Sequence, residues 1–352
     1  MYVLGERLKF TLSGESHSEY VQGMLEGIPS GMKIDLESIE HDIELRKPTA
    51  GIGTPRKEDD NVEFESGLVN MTSDGSPIRF KIRNKNTDSS KYSKFNDTPR
   101  PGHADLTALT KFKGHEIRGG NQFSGRLTVS IVVAGNIAKQ FISQYGITTS
   151  AFTRSIGNVD DTFERTSSDA KGSEFFPTRA CSSDLNDAMI QEILKVSADD
   201  DSVGGVIECI TSGLPIGFGG IWFESLDAEI ARAIFGIPAC KGIEFGKGFE
   251  LSKMRGSESN DPFYYQDGVK IKGSNMGGIL GGMSDGSPMV FRAVFKPTPS
   301  IGKEQNTVNL KTCENTKIQI EGRHDPCIVP RAVVVVEAVT ALVIADQIMR
   351  GL

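Results

Sequence analysis

The chain has 352 residues and a formal net charge of −7 at pH 7. This length is typical of two domains or of one large core, and the acidic balance argues against a nucleic-acid-binding surface, which needs clustered excess Lys and Arg. Five cysteines without a CxxC pair indicate neither a disulfide framework nor a structural zinc site. Any site for an anion must therefore come from a local concentration of arginines.

The sequence contains no segment that we interpret as a targeting peptide or a membrane span. Residues 1–10 mix polar and apolar side chains, unlike a signal peptide. The longest apolar run, residues 332–349, is interrupted by Glu337 and Asp346 and predicts a buried helix. We therefore expect a cytoplasmic protein with neither a membrane nor a nucleic-acid partner.

Near the N-terminus, a short apolar run ends close to a histidine. Residues 8–12 predict a strand that delivers His17 to a sheet edge. An ordinary loop histidine is an open alternative at this point, because a single histidine is a weak signal. Leu36, Ile39 and Ile43 then recur at helical period and predict a helix.

Residues 100–126 gather ionisable side chains on irregular backbone. A Pro-Gly pair precludes a continuous helix before His103, and two consecutive glycines behind Arg118 allow a turn with positive φ. Arg126 opens an apolar run, residues 127–142, that predicts a buried helix. A histidine and arginines thus lie on loops beside a rigid element, where binding groups are usually presented. A basic surface loop is the alternative.

Three kinds of sequence block occur in the same order in both halves of the chain. They are a Gly-Pro turn followed by a helical pattern, an Asp-Gly-Ser-Pro run, and an apolar helix headed by arginine. The blocks begin at Gly27 and Gly213, at Ser73 and Ser284, and at Arg126 and Arg331. In each half the Asp-Gly pair, Asp74-Gly75 or Asp285-Gly286, lies between apolar runs and predicts a hairpin turn.

This internal duplication predicts the fold class. We expect an α+β fold, an internally duplicated βαβ-type sandwich of layered helices and sheets whose two similar halves are related by a pseudo-twofold axis. Residues 1–352 would form a single catalytic domain, with repeats at 5–145 and 200–350. The connector between them, residues 146–199, would hold one helix near residues 187–196.

The second half carries three further runs that could take part in chemistry. Residues 322–326, Gly-Arg-His-Asp-Pro, offer an anion clamp beside a proton carrier, although a solvated turn is an open alternative. Residues 275–283 have glycines spaced for close backbone approach, but the sequence contains no dinucleotide fingerprint, P-loop, GxSxG or HExxH motif. Residues 296–300, Lys-Pro-Thr-Pro-Ser, place one cation and two hydroxyls on a rigid turn suited to a phosphate.

Together these runs resemble the chorismate synthase family. The resemblance covers residues 5–349, and this set of motifs in this order is very specific. The matching runs are Gly14-Glu-Ser-His17, Arg100-Pro-Gly-His-Ala-Asp105, Asp201-Ser-Val-Gly-Gly205, Ile237-Pro-Ala-Cys-Lys-Gly-Ile-Glu-Phe-Gly246, Asn275-Met-Gly-Gly-Ile-Leu-Gly-Gly282, Phe295-Lys-Pro-Thr298 and Gly322-Arg-His-Asp-Pro-Cys327.

The resemblance implies a carbon-oxygen lyase of the shikimate pathway. Such an enzyme removes phosphate from 5-enolpyruvylshikimate 3-phosphate by anti 1,4-elimination and gives chorismate. It requires reduced FMN although there is no net redox change. NADPH as the reductant, an external flavin reductase as a partner, and a homotetrameric assembly are further implications of the family.

By the same resemblance, three residues would be catalytic. His17 would assist the departure of phosphate, and His103 would protonate the anionic reduced flavin. Asp325 would work with flavin N5 in removing the hydrogen from carbon 6. Histidine suits both proton roles because its ordinary pKa is about 6.5.

The resemblance also implies which residues hold the two ligands, and it implies no metal. The substrate-binding residues would be Arg46, Arg100, Arg126 and Arg323. The cofactor-binding residues would be Gln122, Phe123, Ser124, Pro238, Ala239, Gly281, Lys296, Pro297, Thr298, Pro299, Ser300 and Arg323.

The chain departs from the family pattern near both ligands. Gln122 stands where the family usually has an arginine, which removes a cation from the expected contact with the flavin phosphate. Ile52 stands where a second arginine after Arg46 is expected, and Arg56 is the nearest substitute.

Two other functions are open on the sequence. One is a homologue that binds FMN or a phosphate ester without turnover, which the altered residues 121–125 would favour. The other is an oxidoreductase that uses FMN with NADPH. The presence of His17, His103 and Asp325 favours the lyase.

Overall fold

Two five-stranded antiparallel sheets pack on a layer of helices that lies between them. The computed structural model describes residues 1–54, 59–85, 90–320 and 325–351. Helices and sheets are mixed and layered, which confirms the predicted α+β class. Two long helices pack against each other at the centre of the fold, and each of them also contacts strands.

The first sheet is built from the N-terminal part of the chain. Its strands are β1 (Tyr2–Leu4), β2 (Lys9–Gly14), β3 (Tyr20–Glu26), β4 (Val62–Ser66) and β7 (Ile78–Arg83), in the order β1-β2-β3-β7-β4. Between β4 and β7 in sequence, a small separate hairpin is formed by β5 (Leu68–Val69) and β6 (Thr72–Ser73). In β3 and β7, buried residues alternate with more exposed ones, as expected for strands with one face on a core.

The second sheet follows the same plan. Its strands are β8 (Thr148–Ile156), β9 (Val159–Asp160), β10 (Gly205–Ser212), β11 (Cys240–Phe245) and β16 (Met289–Phe295), in the order β9-β8-β10-β16-β11. Three two-stranded hairpins accompany it: β12 (Phe263–Tyr265) with β13 (Val269–Ile271), β14 (Ile279–Leu280) with β15 (Met283–Ser284), and β17 (Gln305–Asn309) with β18 (Glu314–Ile318).

The helices of the described residues vary from one turn to six. They are α1 (Leu36–Arg46), α2 (Asp105–Lys111), α3 (Thr128–Ser143), α4 (Ser167–Gly172), α5 (Ser183–Ala198), α6 (Leu226–Ile234), α7 (Gly256–Ser259) and α8 (Val329–Arg350). The predicted helices at 127–142, 187–196 and 332–349 are confirmed as α3, α5 and α8. α8 begins earlier than predicted because Pro330 occupies its first turn, where the missing N–H costs nothing.

The two halves share one connectivity. In the first, β2, β3, β7 and β4 are neighbours in that order, α1 joins β3 to β4, and α3 follows β7. In the second, β8, β10, β16 and β11 are neighbours in the same order, α6 joins β10 to β11, and α8 follows β16. The second set of strands therefore begins with β8, which lies inside residues 146–199, the expected connector.

α3 and α8 cross closely at the centre of the helix layer. A Cβ added to Gly135 of α3 would lie 2.3 Å from the Cβ of Ala338 on α8, so the contact depends on a glycine. α8 is also long and apolar enough to span a membrane, with a mean hydropathy of 2.0, but 83% of its apolar window is buried inside the fold. This agrees with the prediction of a buried helix.

The prediction of hairpin turns at the two Asp-Gly pairs is wrong. The tight turns lie earlier, at Asn70-Met71 and at Gly281-Gly282, where both central residues have positive φ. Asp74 instead accepts a hydrogen bond from the backbone N of Ser76 at 2.8 Å, and Asp285 does the same for Ser287 at 2.8 Å. Each Asp-Gly pair therefore forms an Asx-type turn that leads into the next strand.

Candidate active site

Arg100 organises the loop that precedes α2, and its side chain is almost fully buried. Its backbone N, its Nε and its Nη2 donate to the Asp105 carboxylate at 3.0, 2.7 and 2.8 Å. Nη2 also donates to the carbonyl oxygen of Gly119 at 3.0 Å, and Nη1 donates to Ser300 Oγ at 3.4 Å. Arg100 thus joins three segments that are far apart in sequence.

His103 is held by the same carboxylate. Its Nδ1 lies 2.6 Å from Asp105 Oδ1. Burial would raise the pKa of Asp105, but hydrogen bonds from Arg100 and His103 hold that pKa well below its ordinary value. An ionised carboxylate can only accept, so Nδ1 of His103 carries a proton, and Nε2 is the atom that can exchange a proton with a ligand.

His17 lies on the turn after β2, against the glycine pair of residues 119–120. Its Nδ1 is 2.9 Å from Ser16 Oγ, and its ring packs edge-on against Tyr92 with 5.6 Å between ring centres. A Cβ on Gly119 would come within 2.1 Å of the His17 ring. Because Arg100 bonds to the carbonyl of Gly119, both histidines belong to one network around Arg100.

The turn of residues 296–300 adjoins the His103 loop. Lys296 Nζ donates to the carbonyl of Gly102 at 2.6 Å, and its backbone N donates to the carbonyl of Ala239 at 3.0 Å. Burial and the nearby Lys241 lower the pKa of Lys296. The turn therefore brings a partly desolvated cation beside His103.

A second cluster, here called the arginine cluster, forms around Asp60. Arg46, the last residue of α1, donates from Nη2 to Asp60 Oδ2 at 2.8 Å, and Arg126 Nη1 bonds to the other carboxylate oxygen. The Asp60 side chain is 0% exposed and those of the two arginines 4% and 5%. Burial lowers the pKa of Arg46 to about 10, against the opposing effect of Asp60.

Asp325 completes the arginine cluster through Arg331 on α8. Arg331 Nη1 bonds to Asp325 Oδ2, and Arg331 Nε donates to the carbonyl of Arg46 at 3.1 Å. Asp325 is almost fully buried, and this burial raises its pKa although Arg331 and the backbone of Thr54 oppose the change. Three arginines and two carboxylates leave the cluster with a net positive formal charge.

Asn84 connects the arginine cluster to the turn that carries His17. Its Oδ1 accepts from Arg126 Nε at 2.8 Å, while its Nδ2 donates to the carbonyls of Glu15 and Ser18 at 3.1 and 2.7 Å. Those two residues flank His17 in the turn. The chain of contacts from Asp325 to His103 is therefore continuous through described residues.

The remaining predicted residues differ in how they relate to this network. Ser124 Oγ accepts from the backbone N of Arg126 at 3.2 Å, so it lies beside the arginine cluster. Gln122 is turned to the surface, where its Oε1 accepts from the Tyr2 hydroxyl at 2.6 Å, and Phe123 is partly exposed. Ile52 packs into the main hydrophobic core.

The other predicted cofactor-binding residues lie at two separate places in the fold. Pro238 precedes Ala239, which has a φ of 72° and whose carbonyl bonds to the 296–300 turn. Gly281 lies in the turn between β14 and β15, beside a hollow lined by Trp222 and Asp227 and away from the network. Arg56, Arg323 and His324 lie outside the described residues.

Three functional candidates were missed by sequence reasoning: Asp60, Asn84 and Tyr92. Each reaches its partner across a long sequence separation, 66 residues for Asp60 with Arg126 and 42 for Asn84 with Arg126. A pair of acidic residues at 59–60 shortly after a predicted helix was the one available signal for Asp60.

The residues present are compatible with a flavin phosphate. In the 296–300 turn, Thr298 Oγ1 is buried and has no hydrogen-bond partner among the described residues, and Lys296, two residues earlier, supplies a cation. Buried polar atoms normally have partners, so this turn is prepared for a polar ligand. No group of three or more metal-binding side chains occurs in the part of the chain that the structure describes.

A cavity of about 220 Å³ lies elsewhere, between α1, α3, β8 and α8. It is lined by Asp42, Lys139 and Glu337, which pair with one another, and it contains none of the predicted site residues. The site network is instead assembled from loops and element ends.

Comparisons with known proteins all give the same family. The family model described as "Chorismate synthase" matches residues 8–349. A chorismate synthase of Dehalococcoides mccartyi is 43% identical over 351 residues, which is 99% of this chain and 96% of the relative. One of Methanocaldococcus jannaschii is 42% identical over 366 residues, covering 100% and 97%. A crystal structure of chorismate synthase aligns with a TM-score of 0.79 at 28% identity, covering 99% of this chain and 93% of that one.

Proposed function

The chain belongs to the chorismate synthase family, and from that premise we propose how its residues perform the reaction. It is a chorismate synthase, a lyase of aromatic biosynthesis. The reaction we assign is the anti 1,4-elimination of phosphate from 5-enolpyruvylshikimate 3-phosphate. The observation that best supports this assignment is the continuous network of contacts from Asp325 to His103, because it joins the side chains to which we give roles in the reaction.

The arginine cluster is proposed to bind the anionic substrate. The whole chain is acidic, but Arg46, Arg126 and Arg331 are concentrated around two carboxylates. A local positive charge in a desolvated site attracts an anion more strongly than the same charge in water. Arg46 Nε is buried without a hydrogen-bond partner among the described residues, so this atom is available to a ligand.

Asp325 is proposed to act as a base in the removal of the hydrogen from carbon 6, a role that the family resemblance gives it together with flavin N5. Its raised pKa makes the ionised carboxylate a stronger base than an exposed aspartate. Its Oδ1 is buried and has no hydrogen-bond partner among the described residues. Arg331 keeps the ionised form accessible because it bonds to the opposite oxygen.

The two histidines, at the other end of the network, are proposed to donate protons. His103 is oriented by Asp105 so that Nε2 is its exchanging atom, and from this atom it would give a proton to a bound reduced flavin. His17 is held by Ser16 and Tyr92 and donates a proton to the departing phosphate. Both assignments rest on the family resemblance together with these contacts.

The cofactor is proposed to be reduced FMN, held by the 296–300 turn with Ala239 and the residues near Ser124. When bound, reduced FMN supplies the electron density that helps the carbon-oxygen bond to break. Protein, FMN and NADPH mixed without substrate would show by flavin bleaching whether the chain reduces its own cofactor. Absence of bleaching would assign the reduction to a separate flavin reductase.

A homotetramer in the cytoplasm is proposed as the working form. Large apolar side chains are exposed close together in sequence at Ile221, Trp222 and Phe223, with exposed fractions of 57%, 81% and 90%. Clusters of this kind commonly mark interfaces between subunits. Sedimentation velocity at micromolar concentration tests the assembly, and a monomer would contradict it.

The experiment that tests the assigned chemistry is His103→Ala in anaerobic assays with dithionite-reduced FMN. We expect turnover to fall by roughly 10² to 10⁴, the range for loss of a general acid, while substrate and FMN affinities change much less. His41→Ala is the matched control, because His41 is exposed and bonds only to Glu174 among the described residues.

Two outcomes would contradict different parts of the proposal. Turnover of His103→Ala within a few-fold of wild type would remove the role of His103. A wild-type protein that binds FMN and substrate without producing chorismate would contradict the lyase assignment for this chain and direct attention to Gln122 and Phe123.

A further inference from the structure

α1 ends at Arg46, one of the proposed substrate-binding residues, and its last carbonyls are bonded from outside the helix. The final four carbonyls of a helix have no partner within it. Arg331 Nε donates to the carbonyl of Arg46 at 3.1 Å, and Arg179 Nη2 donates to the carbonyl of Leu45 at 3.3 Å. Cationic side chains are favourable at this end of a helix because of its dipole. Two arginines thus cap consecutive residues of α1, and Arg179 is the one that lies outside the arginine cluster.

Arg179 uses its guanidinium to join separate segments of backbone. Besides the bond to Leu45, its Nη1 donates to the carbonyls of Glu174 and Phe176 at 2.6 and 3.2 Å. Burial lowers the pKa of Arg179, although Glu174 and Glu337 oppose the change. Removing a cation from water costs free energy, and the side-chain hydrogen bonds that Arg179 makes with described residues all go to carbonyls. Their effect is to fix the distance between the loop that contains Arg179 and the end of α1.

The backbone of Arg179 is itself held in an unusual conformation. Its φ is 60°, in the left-handed region that an arginine rarely adopts. Its N donates to the carbonyl of Phe176 at 2.9 Å, and its carbonyl accepts from the backbone N of Thr153 on β8 at 2.8 Å. Thr153 Oγ1 also donates to the carbonyl of Thr178 at 2.6 Å. Such conformations persist only where the neighbouring structure imposes them, so the second sheet fixes the base from which Arg179 reaches α1.

We propose that Arg179 is a positioning residue for substrate binding, which acts by holding the last turn of α1 and with it the guanidinium of Arg46. This inference rests on the proposed function, because it takes Arg46 as a contact of the anionic substrate. Arg46 Nη2 bonds to Asp60 at 2.8 Å, while Arg46 Nε is buried without a hydrogen-bond partner among the described residues. The position of this Nε depends on the end of the helix as well as on Asp60.

A second contact joins the same loop to the segment that follows α1. Thr49 Oγ1 donates to the carbonyl of Pro177 at 3.3 Å. The loop therefore contacts the chain on both sides of Arg46, through Leu45 before it and through Thr49 after it.

The test is Arg179→Gly, alone and combined with Arg46→Gln, in anaerobic steady-state kinetics with dithionite-reduced FMN. Glycine adopts a φ of 60° without strain, so this variant removes the side-chain bonds and keeps the backbone of the loop. We expect the KM for substrate to rise about threefold to tenfold, the range for one lost hydrogen bond, with kcat within about twofold of wild type. In the Arg46→Gln background, Arg179→Gly should have no further effect on KM, because both residues act through one substrate contact.

Asp267→Gly is the matched control, because Asp267 also has a positive φ, 51°, and lies in the separate hairpin between β12 and β13. Its KM should equal that of wild type. Should Arg179→Gly melt far below wild type, Arg179→Lys provides the comparison, since lysine keeps a cationic donor with a different shape. Its KM should rise by a smaller factor, and this rise should also vanish in the Arg46→Gln background.

Three results would each overturn the positioning role: an unchanged KM in Arg179→Gly, a loss confined to kcat, or the same rise in KM with and without Arg46→Gln. A KM of wild type in Arg46→Gln alone is a different result. It would contradict the proposed contact between Arg46 and the substrate, and the inference would be wrong together with that part of the proposed function.

Discussion

Asn84 links the two charged parts of the site through one carboxamide. Its oxygen accepts from Arg126 and its amide group donates to two carbonyls of the turn that carries His17. Neither end of this link touches a reacting atom, so Asn84 acts as a positioning residue. The position of His17 relative to the arginine cluster is expected to depend on both sets of bonds.

The Asn84→Asp variant keeps the hydrogen bond from Arg126 and removes the two hydrogen bonds to the turn that carries His17. An aspartate can accept from Arg126 but cannot donate to the carbonyls of Glu15 and Ser18, so His17 would lose its anchor while Arg126 keeps its partner. We expect kcat to fall by about 10-fold to 100-fold, as for other losses of positioning, with the KM for substrate nearly unchanged. Steady-state kinetics under anaerobic conditions measure both constants.

A purely structural role for Asn84 would give a different result. In that case Asn84→Asp would lower the melting temperature, and the kcat of the folded fraction would equal that of wild type. Asn84→Gln, which keeps both donor and acceptor on a longer side chain, should retain more activity than Asn84→Asp if the donors matter.

Arg331 is expected to set the acid limit of activity through Asp325. Asp325 must be ionised to accept a hydrogen, so activity falls as pH drops through its pKa. Burial raises that pKa and Arg331 lowers it. Arg331→Gln should therefore move the acid limb of kcat/KM to higher pH by about one unit or more, while Arg331→Lys, which keeps the charge, should move it less.

A pH profile of kcat/KM from pH 4 to 9 measures this change. If the acid limb of Arg331→Gln coincides with that of wild type, then Asp325 is not the group that controls it. A shift to lower pH would have the wrong sign for any carboxylate that loses a neighbouring cation.

At the scale of single residues, the sequence could predict the groups that belong to short motifs. His17 and His103 lie on glycine-bearing loops, and the structure places both in one network with Arg100. The partners could not be predicted, because Asp60 and Asn84 contact Arg126 across long sequence separations, and the acidic pair at 59–60 does not indicate which arginine it meets. Arg100 shows the same limit, since its motif did not indicate how fully Asp105 would engage its guanidinium.

Among the secondary-structure elements, the crossing of α3 and α8 depends on Gly135. A Cβ there would meet both the Cβ and the backbone of Ala338, at 2.3 and 2.4 Å, and backbone cannot move aside cheaply. Gly135→Ala should therefore destabilise the fold by about 1–3 kcal/mol, the usual cost of overpacking, despite the higher helix propensity of alanine. Thermal or urea denaturation measures the change.

Gly172→Ala is the control for helix propensity. Gly172 ends α4, its φ is not positive, and a Cβ there would meet nothing within 4 Å. We expect this variant to be neutral or slightly more stable than wild type. If Gly135→Ala is equally well tolerated, the two central helices do not approach as closely as their contact implies.

Element positions were predictable where apolar periodicity extends over several turns, as in α3 and α8. The positions of the hairpin turns were not predictable. An Asp-Gly pair is a strong sequence signal for a two-residue turn, whereas Asn70-Met71, where the turn lies, is a weak one. Met71 has a φ of 58°, a conformation that a methionine rarely adopts. The neighbouring strands impose that conformation, and sequence propensity does not reveal it.

For the whole molecule, repeated blocks predicted two similar halves, and four strands of each sheet have the same order. The sequence did not reveal β8, because its run of Thr, Ser, Ala and Phe lacks a strict alternation and resembles no block of the first half. Hydrogen bonding to β10 makes it a strand. The pseudo-twofold relation of the halves stays a prediction, which superposition of the two strand sets tests.

The shared strand order has a consequence for how the protein can be divided. The site takes residues from both halves: His17, Arg46, His103 and Arg126 from the first, and Lys296, Asp325 and Arg331 from the second. If the halves are copies of one ancestral unit that once paired as separate chains, the peptide link between them is dispensable. A break after Tyr145, whose side chain is 56% exposed, would leave both strand sets intact.

Fragments 1–145 and 146–352 expressed together should therefore assemble by complementation and bind FMN, since α3 in one fragment and α8 in the other bury apolar faces against each other. Co-purification through a tag on one fragment measures the assembly. Fragments that are each soluble but do not associate would show that covalent continuity is required. Successful assembly would make this enzyme a dimer of its own halves, with the reaction carried out at the surface where they meet.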